Sequence, residues 1–132
     1  EISHPASISQ KAAVEALNGP QESVEEMRQA FDARRRYMVE RLNSIEGVEC
    51  VLPEGAFYAY PEVSSFYGRS AGEWKIEDSV SLCEYLLEEG RVACVPGVGF
   101  GTVPHIRLSY ATSMENVERA MDRVAAALDG LA

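Results

Sequence analysis

Apolar residues recur along this chain with two different periods, and the changes of period mark the elements. Residues 6–17, ASISQKAAVEAL, are good helix formers with Ile8, Ala12 and Leu17 near helical spacing until Asn18-Gly19-Pro20 interrupts them. They predict a short helix. Ser23 and Glu26 then have the spacing of a capping box, and Val24, Met27, Phe31, Met38, Leu42 and Ile45 recur at intervals of three, four and seven up to Gly47. A helix of roughly 23 residues follows, about 35 Å long at 1.5 Å per residue. Its other face, Glu25, Arg28, Asp32, Arg35, Arg36 and Glu40, mixes both signs of charge and reads as solvated.

After Gly47 the pattern becomes strand-like. Val48–Leu52 and Ala56–Tyr60 flank Pro53-Glu54-Gly55, which predicts a hairpin. Residues 62–77 hold neither period and read as a loop, the least ordered stretch of the chain, anchored by Phe66, Tyr67 and Trp74. Asp78 or Ser79 caps a third helix with Val80, Cys83, Leu86 and Leu87 inward and Gly90 as its left-handed terminator, before a short buried strand over Val92–Val95. A glycine-rich loop from Pro96 to Pro104 leads into Ile106–Ala111, where Ile106, Leu108 and Tyr110 point one way and Arg107 and Ser109 the other. Thr112 and Glu115 cap a last helix with Val117, Met121, Val124 and Leu128 in one stripe. Too few strands remain for a doubly wound fold. The order predicts an α/β two-layer sandwich, with a small mixed or antiparallel sheet of about four strands covered by helices.

Charge narrows the partners. The chain has 12 Lys and Arg against 21 Asp and Glu, a net charge of −9, which repels a phosphate backbone or an anionic membrane. Neither nucleic acid nor a membrane is expected as a partner, and a cytoplasmic location is. Lys11 and Lys75 are the only lysines, and this arginine bias with the acidity points to a halophilic, salt-adapted surface. The three cysteines, Cys50, Cys83 and Cys94, lack paired metal-ligand spacing and read as buried free thiols. His4 and His105 lie too far apart in sequence for a metal site and read as surface or loop residues; no metal is implied.

Candidate chemistry is sparse. Gly97-Val98-Gly99-Phe100-Gly101 lacks the third glycine and the following helix of a dinucleotide fingerprint, so it reads as a strand connection requiring positive φ. Arg107 is more informative, because a guanidinium between Ile106 and Leu108 in mid-strand is costly without a partner. A structural ion pair and a bidentate grip on a ligand carboxylate both satisfy that need. No catalytic set emerges from the pattern.

Five segments in order, SISQKAAVEALNGP, VEEMRQAFDARRRYMVERLNSIEGV, PEGAFYAYP, VPGVGFG and IRLSYATSMENVERAMDRV, resemble the C-terminal third of class I aminotransferases of the aspartate aminotransferase type, which are fold type I pyridoxal-phosphate enzymes. The resemblance implies a linking segment over residues 1–19 and the small domain over 20–132, closing over a cofactor held by a large domain mostly upstream. It implies a homodimer acting on an amino acid and a 2-oxo acid, with Arg107 binding the substrate α-carboxylate. Phe100 and Gly101 would line that site, Phe57 and Tyr58 would support it from the core, and Ser3 and His4 would lie near a subunit interface. The family's Schiff-base lysine belongs to an upstream segment, and neither Lys11 nor Lys75 matches it. No catalytic or cofactor-binding residue is therefore expected within this stretch, and the fragment alone is expected to be inactive. Substrate side-chain preference would be set largely outside it. Two other classes stay open on the residues alone: a stand-alone regulatory module that senses a small carboxylate, and a structural dimerisation domain.

Overall fold

The computed structural model describes residues 4–132; Ser3, and the interface expectation attached to it, lie outside the described residues. The chain divides into two compact units, Glu1–Ala30 and Phe31–Ala132, with the division inside a long helix.

The first unit holds α1 (Ser7–Asn18) and the start of α2 (Glu22–Asn43). The Gly19 amide donates to the Glu15 carbonyl at 2.7 Å, and the chain turns through Pro20. Helix α1 buries none of its residues, and Ile8, Val14 and Leu17 are exposed. The carbonyl of Gln21 accepts the amides of Val24 and Glu25, so α2 begins earlier than the sequence indicates and Ser23 sits inside it. A residue with helical backbone angles cannot act as the N-cap, which is why the Ser23–Glu26 box does not form.

The second unit contains the rest of α2, which buries Met38, Val39 and Leu42. Asn43 closes the helix by bonding both backbone groups of Cys50, at 2.8 and 2.9 Å, across a turn in which Gly47 takes φ +86°. The predicted hairpin is corrected here. Strand β1 (Tyr58–Ala59) pairs antiparallel with residues 108–109, while the 48–52 run contributes only the Glu49↔Glu62 bridge. Its Val51 and Leu52 are exposed. Pairing with a distant strand that already carries a buried face wins over the short turn, because burial outweighs proximity in the chain.

The predicted loop over 62–77 contains a 3-10 turn (Ser64–Phe66) and a hairpin of β2 (Ser70–Ala71) and β3 (Trp74–Lys75). Phe66 and Ile76 bury fully beneath it, and Ser70 exchanges two backbone hydrogen bonds with Ala132. Helix α3 (Ser79–Glu88) is capped by Asp78, whose carboxylate accepts the amides of Val80 and Ser81 while Ser81 Oγ accepts the Asp78 amide. Its inward face is Leu82, Cys83, Tyr85 and Leu86, so Val80 and Leu87 are corrected to the exposed side. The left-handed residue after α3 is Arg91 (φ 54°), not Gly90. Gly90 is required for another reason: a Cβ there would sit 2.8 Å from the Leu86 carbonyl oxygen.

The predicted strand over 92–95 is shifted toward the C-terminus, to β4 (Val95–Pro96). A 3-10 turn (Gly97–Phe100) then leads to β5 (Ile106–Ser109) and α4 (Met114–Asp129). Ser113, rather than Thr112, caps α4 by accepting the Asn116 amide. The three-stranded sheet has the order β1-β5-β4 and is antiparallel throughout, with Ala59 opposite Leu108 and Val95 opposite Arg107. Ile106, Leu108 and Tyr110 join Met38 and Leu42 of α2, Leu82 and Leu86 of α3, and Val117, Met121, Val124 and Leu128 of α4 in one core. This is the α/β arrangement of the sequence reading, with three sheet strands and a separate hairpin. Cys50 and Cys83 are buried and Cys94 half-buried; all three are free, and Cys94 Sγ donates to Cys83 Sγ at 3.3 Å.

Candidate functional site

Alternation along β5 decides where the site lies. Ile106 and Leu108 enter the core, so Arg107 emerges on the opposite face, half-buried. On one side of it, β1 places Tyr58 across from Ser109, a diagonal neighbour of Arg107, and the guanidinium carbon lies 4.3 Å from the Tyr58 ring centroid. On the other side, β4 runs into the Gly97–Phe100 turn, which returns Phe100 to 4.1 Å from the same carbon. A guanidinium held between two aromatic faces gains cation–π attraction at both, about 0.5–2 kcal/mol each.

Arg107 donates no hydrogen bond and forms no ion pair among the described residues, so the structural ion pair considered from the sequence is not formed. Among the described residues, Arg28, Arg35, Arg36, Arg41, Arg91 and Arg119 pair with carboxylates. Arg34 and Arg69 each stack on one ring. A half-buried guanidinium oriented by two rings, with its N–H donors unused, is chemically a receptor for a planar two-oxygen anion.

The other expected site residues are placed differently from one another. Phe100 contacts Arg107 directly and is half exposed. Gly101 contributes backbone geometry, with φ +81° and nothing within 4 Å of where a Cβ would stand. Phe57 braces Tyr58 with ring centroids 4.5 Å apart, yet it is 40% exposed and so lies at the surface rather than in the core. His4 is exposed, with its Nδ1 3.0 Å from the Pro5 carbonyl.

Three residues near the clamp carry no single-residue signal in the sequence. Tyr60 stacks on His105 with centroids 4.9 Å apart and planes 2° from parallel, and meets Phe100 edge-on at 6.4 Å. Its hydroxyl lies 2.5 Å from Thr102 Oγ1. His105, read as a surface or loop residue, is half-buried under that stack, and its Nδ1 is buried without a hydrogen-bond partner. The available signal was alternation: Tyr60 follows Tyr58 by two positions, as His105 precedes Arg107 by two, so each pair shares a face once β1 is known to pair with β5.

A pyridoxal phosphate does not fit the clamp itself. Lys75 lies on β3 with its ammonium 3.1 Å from Glu77, and Lys11 is on α1 in the other unit. No cluster of three His, Cys, Asp or Glu side chains suited to a metal occurs among the described residues. A cleft of about 530 Å³ between the end of α2 and α4 is lined by residues that include Arg41, Phe66, Arg69 and Asp129, and Arg107 is not among them. No helix of the described residues is long and apolar enough to cross a membrane.

Comparison with known proteins places the chain in a family. Residues 2–124 match the family model described as aminotransferase class I and II. The chain is 45% identical over 128 residues to an aspartate aminotransferase of Rhizobium meliloti strain 1021, covering 96% of this chain and 31% of that protein. It is 48% identical over 130 residues to an aspartate/prephenate aminotransferase of Cereibacter sphaeroides, covering 98% and 32%. The crystal structure of the aspartate aminotransferase from Rhizobium meliloti superposes with a TM-score of 0.92 at 44% identity, over 97% of this chain and 32% of that one. An alanine aminotransferase from Pyrococcus furiosus superposes with a TM-score of 0.81 at 31% identity, over 95% and 30%. The chain thus spans about a third of the length of these relatives, 31% and 32% of the two compared in sequence. On its sequence and its fold together, this chain belongs to the class I and II aminotransferases.

Proposed function

We propose that this chain is the substrate-carboxylate side of a pyridoxal-phosphate-dependent aminotransferase that exchanges an amino group between an amino acid and a 2-oxo acid. Residues 20–132 form its small domain, and residues 1–19 join that domain to a large domain that holds the cofactor. The observation that carries this reading is the Arg107 clamp, a cation gripped by Tyr58 and Phe100 with no carboxylate partner among the described residues.

Each part of the clamp has a physical role. The strand fixes the Arg107 backbone, and the two rings restrict the guanidinium, so ordering entropy is spent on folding rather than on binding. The fork then accepts a carboxylate through two parallel charge-assisted hydrogen bonds, which fixes the orientation as well as the presence of the substrate. Amino acid and 2-oxo acid share that carboxylate, so one arginine serves both halves of the exchange. The family names among the relatives, aspartate, prephenate and alanine, share it too.

The test uses the complete protein that carries this chain. With pyridoxal phosphate present, a panel of amino acids is followed by cofactor absorbance. The expected result is a spectral change with at least one amino acid, and no change with any would overturn the enzyme reading. Arg107→Lys retains charge but loses the fork. It is expected to weaken binding of both substrates about 10- to 100-fold, the equivalent of one or two charge-assisted bonds, with cofactor binding intact. Unaltered carboxylate affinity in that variant would remove Arg107 from the site.

A further inference from the structure

The clamp has two jaws of different construction. Tyr58 stands on β1, which is held to β5 by strand pairing, with Tyr58 opposite Ser109 and Ala59 opposite Leu108. Phe100 stands on a turn whose exposed end includes Gly99 and Gly101, both with open space around the Cβ position. Within this turn the Thr102 amide donates to the Gly97 carbonyl at 3.1 Å and the Gly101 amide to the Val98 carbonyl at 3.3 Å. Those bonds close the turn on itself. They do not fix where it stands relative to Arg107.

We infer that Tyr60 is the positioning residue of the Arg107 clamp, fastening the Phe100 turn to the sheet. Its Oη lies 2.5 Å from Thr102 Oγ1 and donates to the Gly97 carbonyl at 3.4 Å, so one hydroxyl reaches both ends of the turn. Its ring meets Phe100 edge-on, 85° between planes, and stacks on His105, the residue before β5. At the foot of the turn the Gly97 amide donates to the His105 carbonyl at 2.8 Å. A Cβ on Gly97 would stand 2.4 Å from that oxygen and 2.7 Å from the Thr102 carbonyl oxygen, so the approach that brings the turn within reach of Tyr60 needs a glycine. Among the described residues no hydrogen bond or cation–π contact joins Tyr60 to Arg107; Tyr60 acts through Phe100.

This inference rests on Arg107 binding the substrate carboxylate, and the variants separate the two. In the complete enzyme, Tyr60→Phe keeps the ring stack and removes the hydroxyl. It is expected to raise KM for both the amino acid and the 2-oxo acid about 2- to 10-fold, the range of one neutral hydrogen bond, with kcat retained at saturation. Thr102→Val removes the same contact from the other side and is expected to reproduce that rise. A double-mutant cycle decides the route: with Phe100 already changed to Ala, Tyr60→Phe is expected to add no further loss. A full additive loss in that background would show that Tyr60 does not work through Phe100 and would overturn the inference. So would a lowered melting temperature with KM unmoved, since a merely structural hydroxyl would do that. If Arg107→Lys leaves carboxylate affinity unchanged, the reading beneath it fails instead, and that result is independent of the Tyr60 variants.

Discussion

Along α4, Val117, Met121, Val124 and Leu128 recur every three or four residues and each retains at most 2% of its surface exposure. Along α1, Ile8, Val14 and Leu17 retain 83%, 61% and 81%. In α1 the pairs Ile8–Ala12 and Val14–Leu17 are also at helical spacing, four and three apart, yet within this chain only the stripe of α4 is covered. The ends differ as well: Ser113 caps α4 and Asp78 caps α3 with side-chain oxygens, whereas Ala6 precedes α1 with no side-chain cap. Periodicity therefore reports which face of a helix is apolar, and says nothing about whether the fold supplies a surface to bury it. Helix stability in proteins comes mainly from that tertiary packing, so the two helices should respond very differently to the same change.

The largest effect is expected in α4. Met121→Ala removes a fully buried side chain at the centre of the core and should cost about 2–5 kcal/mol, read as a lowered urea midpoint with unchanged slope. A loss below about 1 kcal/mol would mean the core relaxes around the gap and the contrast with α1 is overstated. Arg107→Ala tests the same covered unit on its solvent face. It should abolish most carboxylate binding in the complete protein, measured by isothermal titration with a dicarboxylate or a 2-oxo acid, while lowering stability only by the two lost cation–π contacts, about 0.5–2 kcal/mol each, because no ion pair among the described residues is broken.

Asp78→Ala should cost about 1 kcal/mol, since it removes the cap that accepts two α3 amides. The bonds from Ser81, first through its backbone, hold the Asp78 carboxyl below its ordinary pKa. A depressed folded pKa gives a stabilisation that is complete above about pH 4, where an unfolded Asp is ionised, and that fades as the pH falls through the lower folded value. The stability gap between wild type and Asp78→Ala should accordingly narrow under acid, and a gap that widened below pH 4 would contradict the assignment. The smallest effect is expected in α1, where Leu17→Ala should alter the stability of this chain by less than about 0.5 kcal/mol. A loss comparable to that of Met121→Ala would show that α1 is packed in solution and would dissolve the contrast.

Part of the site was legible before the structure. Alternation in IRLSY put Arg107 on the face opposite Ile106, Leu108 and Tyr110; the cost of leaving a mid-strand guanidinium unpaired left an ion pair and a ligand carboxylate both open, and only the family resemblance favoured the second. Phe100 was attached to it through the family resemblance. Tyr60, Thr102 and His105 were missed because their meeting depends on β1 pairing with β5 across 48 residues or more, while the chain between Val48 and Tyr60 offers a nearer hairpin. The left-handed residue at the end of α3 was assigned to Gly90 for its lack of a Cβ. In the structure that lack is used for close approach to the Leu86 carbonyl, and Arg91 takes the positive φ.

What the sequence by itself determined is the local and periodic part: the four helices, the buried stripe of α4, an α3 cap at Asp78 or Ser79 and the facing of Arg107 on β5. These follow from the 3.6- and 2-residue repeats and from side chains that bond amides two or three positions away, interactions complete within a few residues. Only the tertiary structure decided that β1 joins β5, that α1 stays uncovered while α4 is buried, and that two rings from opposite neighbours close on one guanidinium. Those outcomes compare distant surfaces for burial, and the competition between them is settled when the whole chain packs.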